Sequence, residues 1–258
     1  MKWFILTDLE GVAGVQSWSQ TYEDGPGRPE AMRLLGREVS AAVAGIADAD
    51  PEAEVDVWDG HGPGGLYPED VRPPARYLRE GDPQRDIDSS FAGLLFVGQH
   101  AMAGTYHAPL CHTYSSRAIA YYRLNGVFIG EFGARALISG AAGVPTIFLA
   151  GDDKACLEAR VWVPEIVTVA TKRGRGLQAA EHLSTEASCG RIRSGAAEAC
   201  RRAREIPPIT MPGPYELEVR YLQPQDWSRR TYRPGVSPTV LDDRTVLLRA
   251  DDLRHLPV

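Results

Sequence analysis

The chain has few cysteines, and no two of them are spaced as in a metal-binding or redox pair. Its four cysteines, Cys111, Cys156, Cys189 and Cys200, are spread over 258 residues without a C-x-x-C motif. This low density argues against a disulfide-stapled scaffold. We therefore predict free thiols in a reducing compartment, with the cytoplasm as the location.

Long apolar runs and long basic runs are also absent. No stretch reaches the roughly 18 apolar residues that a membrane helix requires, and the N-terminal MKWFILTD is too poor in apolar residues for a signal peptide. The net charge is −6 at pH 7. We interpret the short basic runs at 172–176 and 200–204 as solvated loop and helix faces, so neither nucleic acid nor a membrane is expected as a partner.

Short apolar runs alternate with longer helical patterns over most of the chain. Strands are predicted at 3–6, 54–58, 93–98, 145–150 and 165–170, and helices at about 29–47, 131–143, 152–161 and 184–204. The Asn125-Gly126 pair predicts a hairpin turn. Such alternation is typical of an α/β fold whose largely parallel sheet is flanked by helices in three layers.

The composition changes after Ile206. Residues 207–214 contain four prolines and a glycine, and strand-like patterns follow at 215–222 and 245–250. We therefore predict an α/β domain over residues 1–206. Residues 207–258 are predicted to be a small α+β segment that packs on or completes a second, smaller lobe.

Two carboxylates follow the first predicted strand, in the stretch LTDLEGVAG. Asp8 and Glu10 are two residues apart, so in extended backbone their side chains point the same way. Like charges so close together repel and raise each other's pKa unless a cation neutralises them. A turn carboxylate and a helix cap are the alternative roles for this pair.

Histidines and a further glutamate follow at comparable places. The second strand ends in DGHG with His61, the third ends in GQHAMAG with His100, and LCHTYSS brings His112 to the same region. Glu131 lies at the start of the second helix, where it could also serve only as a favourable charge near the helix dipole. Because parallel strands share one carboxyl edge, these groups are expected to lie close together.

Mixed oxygen and nitrogen donors favour zinc, manganese or cobalt over calcium or magnesium. Five donors with a carboxylate able to bridge are too many for one tetrahedral zinc, and they suit a pair of metals about 3.5–4 Å apart. These five donors therefore predict that the domain over residues 1–206 is a metal-dependent hydrolase.

The motifs TDLEGVAGV, DGHG, GQHAMAGT, HTYSS and GEFG…AGVP…AGDD, in this order, resemble the zinc-dependent D-aminopeptidases associated with bacterial dipeptide-transport operons. The resemblance covers about residues 1–200. It implies that the metal ligands are Asp8, Glu10, His61, His100 and Glu131, and that His112 is the catalytic histidine. It further implies two Zn²⁺ per chain, with Mn²⁺ or Co²⁺ as other candidates, short peptides with an N-terminal D-residue as substrates, and a ring-like homo-oligomer.

The resemblance leads to a mechanistic hypothesis. The two zinc ions would activate a bridging water and polarise the amide carbonyl, and His112 would act as general acid or base or, alternatively, as a nucleophile. Asp59 is expected either to orient His61 or to stabilise its turn. We expect the structure to place His112 and Asp59 where they can fill these roles.

Two other functions stay open at this point. Gln99 and Met102 stand where the family usually has tyrosine and arginine, which favours a metal-dependent hydrolase of another amide, a lactam or a modified peptide in a specialised pathway. A phosphate- or nucleotide-binding α/β module is the alternative from another class. The chain lacks a G-x-x-x-x-G-K-[ST] loop, and Asp8 and Glu10 would repel a phosphate, so both features argue against this alternative.

Overall fold

The structure, a computed structural model, describes residues 1–258. It contains twelve strands and four helices. The strands are β1 (Lys2–Thr7), β2 (Glu54–Asp59), β3 (Ala75–Leu78), β4 (Phe91–Gln99), β5 (Ile119–Leu124), β6 (Val127–Ile129), β7 (Thr146–Asp152), β8 (Val167–Gly176), β9 (Ala179–His182), β10 (Tyr215–Tyr221), β11 (Ser237–Val240) and β12 (Thr245–Ala250). The helices are α1 (Arg28–Ala49), α2 (Glu131–Ala141), α3 (Asp153–Trp162) and α4 (Thr185–Arg202).

The larger sheet has seven strands in the order β3-β2-β1-β4-β7-β8-β9. Neighbouring strands run parallel, except that β8 and β9 are antiparallel. Central parallel strands are covered on both faces and therefore need nearly continuous apolar sequence. β1, β4 and β7 have it, and Trp3, Phe96 and Phe148 are completely buried.

Helices cover both faces of this sheet. α1 packs on α4, and α2 packs on α3. The crossovers β1-α1-β2 and β7-α3-β8 run in opposite directions along the sheet, so right-handed connections put α1 and α3 on opposite faces. The α1–α4 contact is close because Gly45 lies against the main-chain oxygen of Arg193, where a methyl group has no room. The predicted three-layer α/β fold is confirmed.

The direction of winding reverses between β1 and β4. From β1 the strands add toward β2 and β3, whereas from β4 they add toward β7 and β8. In open α/β sheets the ligand crevice forms at such a switch point, outside the carboxyl ends of the strands. Thr7 and Gln99 end the two strands there.

Five antiparallel strands form a smaller sheet in the order β11-β12-β10-β5-β6. β10 lies between β12 and β5, so residues 207–258 share this sheet with the β5–β6 hairpin from the middle of the chain. The hairpin turns at Asn125 and Gly126, which both have positive φ, as a type I′ turn requires. A separate apolar cluster that includes Leu124 and Leu217 supports this lobe.

All five strands and four helices predicted for residues 1–206 are present, and so are the two C-terminal strands. β8 continues from the predicted end at 170 to Gly176. The apolar pattern does not predict β3, β9 and β11, which are short strands at the outer edges of the two sheets. None of the four helices combines the length and the apolar character that a membrane span requires.

Candidate metal centre

Asp8 and Glu10 lie in the turn that leaves β1 at the switch point. The turn is tied to β4, since the main-chain N–H groups of Asp8 and Gly11 donate to the carbonyls of Val97 and Gly98. Gly98 has φ +85°, and a Cβ there would lie 1.9 Å from the carbonyl oxygen of Asp8. The close approach of the two backbones brings the carboxylates beside the end of β4.

Glu10 and His61 form one half of the cluster. Nε2 of His61 lies 3.4 Å from Oε1 of Glu10, and both side chains are buried. Nδ1 of His61 lies 3.2 Å from the carbonyl oxygen of Gly64, so this nitrogen is protonated and Nε2 is the one available to a metal. The ring therefore presents a metal-binding nitrogen to the cluster.

Asp8, His100 and Glu131 form the other half. Nε2 of His100 lies 3.3 Å from Oδ2 of Asp8 and 3.4 Å from Oε1 of Glu131. Nδ1 of His100 is 2.9 Å from the carbonyl oxygen of Ala101, which again makes Nε2 the nitrogen available to a metal. Glu131 is the first residue of α2, and its Oε1 accepts a hydrogen bond from the main-chain N–H of Tyr114.

His112 stands next to this second half. Its ring stacks on that of His100, with 4.0 Å between the centroids and 14° between the planes. Nδ1 of His112 bonds the carbonyl oxygen of Leu110, and Nε2 lies 3.9 Å from Oε1 of Glu131. His112 comes from the long loop between β4 and β5 rather than from a strand end.

All six residues singled out in the sequence are thus brought together. His100 falls in two groups of potential ligand atoms that lie within 4.8 Å of one another, one with Asp8 and Glu10 and one with His112 and Glu131. Three buried atoms in the cluster have no hydrogen-bond partner: Oδ2 of Asp8, Oε2 of Glu10 and Nε2 of His100. Buried polar atoms are nearly always paired, and these three would be satisfied by a metal cation. The donor set therefore fits a metal such as zinc.

The electrostatics of the cluster agree with a cation between its members. Burial raises the pKa of Asp8 well above its usual range, and the carboxylate of Glu10 raises it further. Burial also opposes ionisation of Glu10, but the His61 ring holds the pKa of Glu10 well below its usual range. Against the burial that lowers it, Glu10 raises the pKa of His61 to about 9. Without a metal, protons on Asp8 and on the His61 ring offset the negative charge that a cation would otherwise balance.

Lys172 fixes the loop that carries Glu10. This residue is only 2 % exposed, which corrects our interpretation of 172–176 as a solvated face. Its ammonium group donates to the carbonyl oxygens of Glu10, Val12 and Val15. The neighbouring hydroxyl of Thr171 donates to the carbonyl oxygen of Gly11.

Buried Asp152 and half-buried Glu158 fix the loop that carries His100. Oδ2 of Asp152 accepts from the main-chain N–H of Ala101, and Oε2 of Glu158 accepts from that of Met102. Asp152 also caps α3, because its Oδ1 accepts from the N–H groups of Lys154 and Ala155. The end of β7 and the start of α3 therefore position the histidine.

Asp59 does not hydrogen bond His61, so the first of its two expected roles is wrong. Its carboxylate accepts from the main-chain N–H groups of Gly65 and Leu66 and from the hydroxyl of Tyr77. The carbonyl oxygen of Gly64 orients the ring instead. Asp59 shapes the turn, which is the second role expected for it.

A cavity of about 790 Å³ opens onto the cluster. Its wall includes Asp8, Glu10, His61, His112 and Glu131, but not His100, which lies behind them. Several further residues of the wall are not among the candidates from the sequence. Trp58, Tyr114 and Arg117 lie within or beside the DGHG and LCHTYSS motifs, whereas no motif marks Tyr22 or Arg135.

Comparisons with known proteins identify the family of the chain. The sequence profile of the peptidase M55 family, described as D-aminopeptidase, matches residues 1–257. A D-aminopeptidase of Bacillus subtilis (strain 168) is 28% identical over 233 residues, which are 86% of this chain and 81% of that protein. The solved structure of the Zn-dependent D-aminopeptidase DppA from Bacillus subtilis, described as a self-compartmentalizing protease, superposes with a TM-score of 0.89 at 25% identity, covering 99% of this chain and 93% of DppA.

Proposed function

Because the chain belongs to the D-aminopeptidase family of M55 peptidases, we propose that it is a zinc-dependent aminopeptidase acting on short peptides with an N-terminal D-residue. The observation that carries this proposal is the set of unpaired buried donor atoms of Asp8, Glu10 and His100 beside an open cavity. The zinc dependence of DppA, which shares the fold, supports the choice of metal. Mn²⁺ and Co²⁺ suit the same donors.

We further propose that two zinc ions bind in each chain. Glu10 and His61 would hold one ion, His100 and Glu131 would hold the other, and Asp8 between the two halves would bridge them. Five donor residues exceed the four that a single structural zinc takes, and the three carboxylates of Asp8, Glu10 and Glu131 carry one more negative charge than a single Zn²⁺ offsets. The donor atoms of Glu10 and His61 lie 3.4 Å apart, as do those of His100 and Glu131. Donor atoms of Asp8, Glu10 and His100 lie within 4.8 Å of one another, which supports a position of Asp8 between the two pairs.

The zinc ions supply Lewis acidity and lower the pKa of a coordinated water. His112 handles the proton at the leaving amine. Its proton lies on Nδ1, bonded to the carbonyl oxygen of Leu110, so Nε2 is free to take and deliver a proton at the cavity. Burial and the neighbouring His100 lower the pKa of His112, which keeps the ring neutral and able to act first as a base.

The alternative of another amide or lactam substrate concerns the same centre. Gln99 lies in the cavity wall and donates to the carbonyl oxygen of His100. The phosphate-binding alternative has no support, since the buried carboxylates of Asp8 and Glu10 stand where a phosphate must approach.

Two further proposals concern the setting of the enzyme. We infer a ring-like homo-oligomer whose active sites face an enclosed space, because DppA is described as self-compartmentalizing. The four cysteines are all free thiols, which agrees with our proposal of a cytoplasmic location.

The test combines metal analysis with a substrate panel. Protein purified without chelator should contain about two zinc ions per chain, and it should hydrolyse D-Ala-D-Ala and D-alanine amide faster than the L-forms. Removal of zinc by a chelator should abolish turnover, and added zinc should restore it. Less than one zinc per chain, together with chelator-resistant hydrolysis, would reject the proposal, whereas a preference for lactams would favour the alternative substrate.

A further inference from the structure

One wall of the active-site cavity carries a guanidinium group that the proposed chemistry does not use. Arg135 lies on α2 four residues after Glu131, so both side chains project from the same face of the helix, with Cβ atoms about 5–6 Å apart. Both residues line the cavity. A guanidinium beside a metal centre is repelled by the metal cations, so its position in the cavity wall suggests a separate anionic ligand.

Arg135 keeps hydrogen-bonding capacity for a ligand. Nη1 is bonded to both oxygens of Asp82, at 3.0 and 2.8 Å, whereas Nε and Nη2 make no hydrogen bond. Asp82 also accepts from Nε of Arg85, so one carboxylate is shared by two arginines. The pair Nε and Nη2 is one of the two edges of the guanidinium that can bind a carboxylate through two parallel hydrogen bonds.

Aromatic rings hold the guanidinium in place. Its central carbon lies 5.0 Å from the ring centroid of Trp58 and 5.8 Å from that of Tyr114. The side chain of Arg135 is only 14% exposed. Little conformational freedom therefore remains to be lost when a ligand binds.

The same wall contains two donors that lack partners. The indole nitrogen Nε1 of Trp58, a residue only 5% exposed, and the hydroxyl of Tyr114 are buried without a hydrogen bond. An indole N–H can only donate, so it needs an acceptor oxygen. Unpaired buried donors are rare in folded proteins, and their presence beside a half-paired guanidinium points to an acceptor-rich ligand.

We propose that Arg135 binds the C-terminal carboxylate of the substrate peptide, so that the cavity selects di- and tripeptides with a free C terminus. This inference rests on the proposed peptidase function and assigns the substrate class of the same site. One extended residue spans at most about 3.6 Å. A peptide cleaved beside Glu131 therefore brings its terminal carboxylate to Arg135 when one or two residues follow the scissile bond.

The test compares D-Ala-D-Ala with D-Ala-D-Ala amide, which differ only in the terminal charge. The wild-type zinc enzyme should have a higher kcat/KM for the free acid. Arg135→Met should lower kcat/KM for the acid at least about tenfold and leave the amide nearly unchanged, and Arg135→Lys should fall between the two. An equal loss for both substrates would overturn the inference.

Asp82→Asn is the matched control, because it removes the ion pair of Arg135 but keeps the guanidinium. It should retain the preference for the free acid. If Asp82→Asn abolished the preference as Arg135→Met does, the role of Arg135 would be to hold the 82–86 segment, and the inference would be wrong. Circular dichroism melting of each variant separates loss of folding from loss of recognition.

Two further outcomes separate this inference from the proposed function. If the wild-type zinc enzyme hydrolysed neither substrate, the proposed function would fail and this inference with it, whereas normal hydrolysis without preference would overturn this inference alone. The pair D-Ala-D-Glu amide and D-Ala-D-Gln amide tests another carboxylate. If the enzyme preferred the glutamate peptide and this preference depended on Arg135, the guanidinium would bind a side-chain carboxylate of the substrate. That result would overturn the selection for a free C terminus.

Discussion

The imidazole rings of His100 and His112 stack face to face, with 4.0 Å between their centroids. Both rings bind a main-chain carbonyl through Nδ1, so both present Nε2 toward Glu131. Two protonated rings at this separation would repel each other. The stack therefore favours one ring that binds metal and one neutral ring that exchanges protons.

His112→Ala separates these two roles. Because His112 lies outside the two halves that we assign to metal, the variant should keep the zinc content of the wild type, and kcat should fall by about 10²–10⁴-fold. Elemental analysis and steady-state kinetics on D-Ala-D-Ala measure both quantities. A variant with full activity would make His112 a structural residue, and one that loses zinc would make it a ligand.

Two substitutions distinguish a bridged metal pair from a single ion. His61→Ala removes a donor from one half only and should reduce the zinc content from about two to about one per chain. Asp8→Asn weakens the residue shared by both halves and should reduce the content below one. Equal effects of the two substitutions, measured by elemental analysis after dialysis, would contradict the bridging role of Asp8.

Lys172→Met should destabilise the loop that carries Glu10. Loss of the ammonium leaves the carbonyl oxygens of Glu10, Val12 and Val15 without their donor, at a cost of about 2–4 kcal/mol in the free energy of unfolding. Urea denaturation of the metal-free protein measures this change. Arg173→Met, at the exposed neighbouring position, is the control and should change stability by less than about 0.5 kcal/mol. Equal stability of the two variants would show that the ammonium contacts make no net contribution.

Gly98→Ala tests the close approach of β4 to the Asp8 turn. Gly98 has φ +85°, and its added Cβ would clash with the carbonyl oxygen of Asp8 at 1.9 Å. Gly104→Ala is the matched control, because Gly104 has φ +81° but open space around it. The control should lose only about 1 kcal/mol through backbone strain, while Gly98→Ala should lose more stability and also zinc affinity. Thermal melting and zinc titration measure the two losses. Similar losses of stability and zinc affinity in both variants would show that the close approach of the β4 backbone to the Asp8 turn is unimportant.

His182 should make stability depend on pH between about 4 and 6.5. Its Nδ1 accepts from the main-chain N–H of Gly14, and burial, helped by the charge of Lys172, lowers the pKa of His182 to about 4. The unfolded histidine takes up a proton below about 6.5, whereas the folded one stays neutral to about 4, so stability falls as the pH falls through this window.

The His182→Gln variant isolates this contribution, because an amide does not titrate but can still accept from the N–H of Gly14 and donate to Oε1 of Gln16, which lies 3.2 Å from Nε2 of His182. From pH 7 to pH 4 the wild type should lose about 1 kcal/mol in the free energy of unfolding relative to the variant, a figure reduced for the partial exposure of the ring. Denaturant titrations of the metal-free proteins at several pH values check it. A constant difference would mean that His182 titrates normally in the folded chain.

The sequence predicts the centre of the fold better than its edges. Central parallel strands are buried on both faces, so their apolar runs are visible in the chain, as at β1, β4 and β7. The strands β3, β9 and β11 pair on one side only and contain sequences such as ARYL, AAEH and SPTV, which have no apolar run. Their pairing depends on the neighbouring strand rather than on their own composition.

The same distinction applies to the site. Asp8, Glu10, His61 and His100 are visible as candidates because they follow strands that end at one edge of the sheet, and the structure brings them together. Their role as metal ligands stays a prediction. Nothing in the sequence distinguishes Lys172 and Arg135 from other basic residues. Only the packing of distant segments places Lys172 under the Glu10 loop and Arg135 in the cavity wall.

The β5–β6 hairpin is synthesised well before β10, the strand beside it in the small sheet. In the chain this hairpin lies between His112 and Glu131, and its partner strand β10 is Tyr215–Tyr221. Ribosomal synthesis delivers all six residues of the centre long before β10 emerges. The hairpin that joins His112 to Glu131 then still lacks its neighbouring strand, so we expect the centre to reach its final geometry only after β10 has left the ribosome.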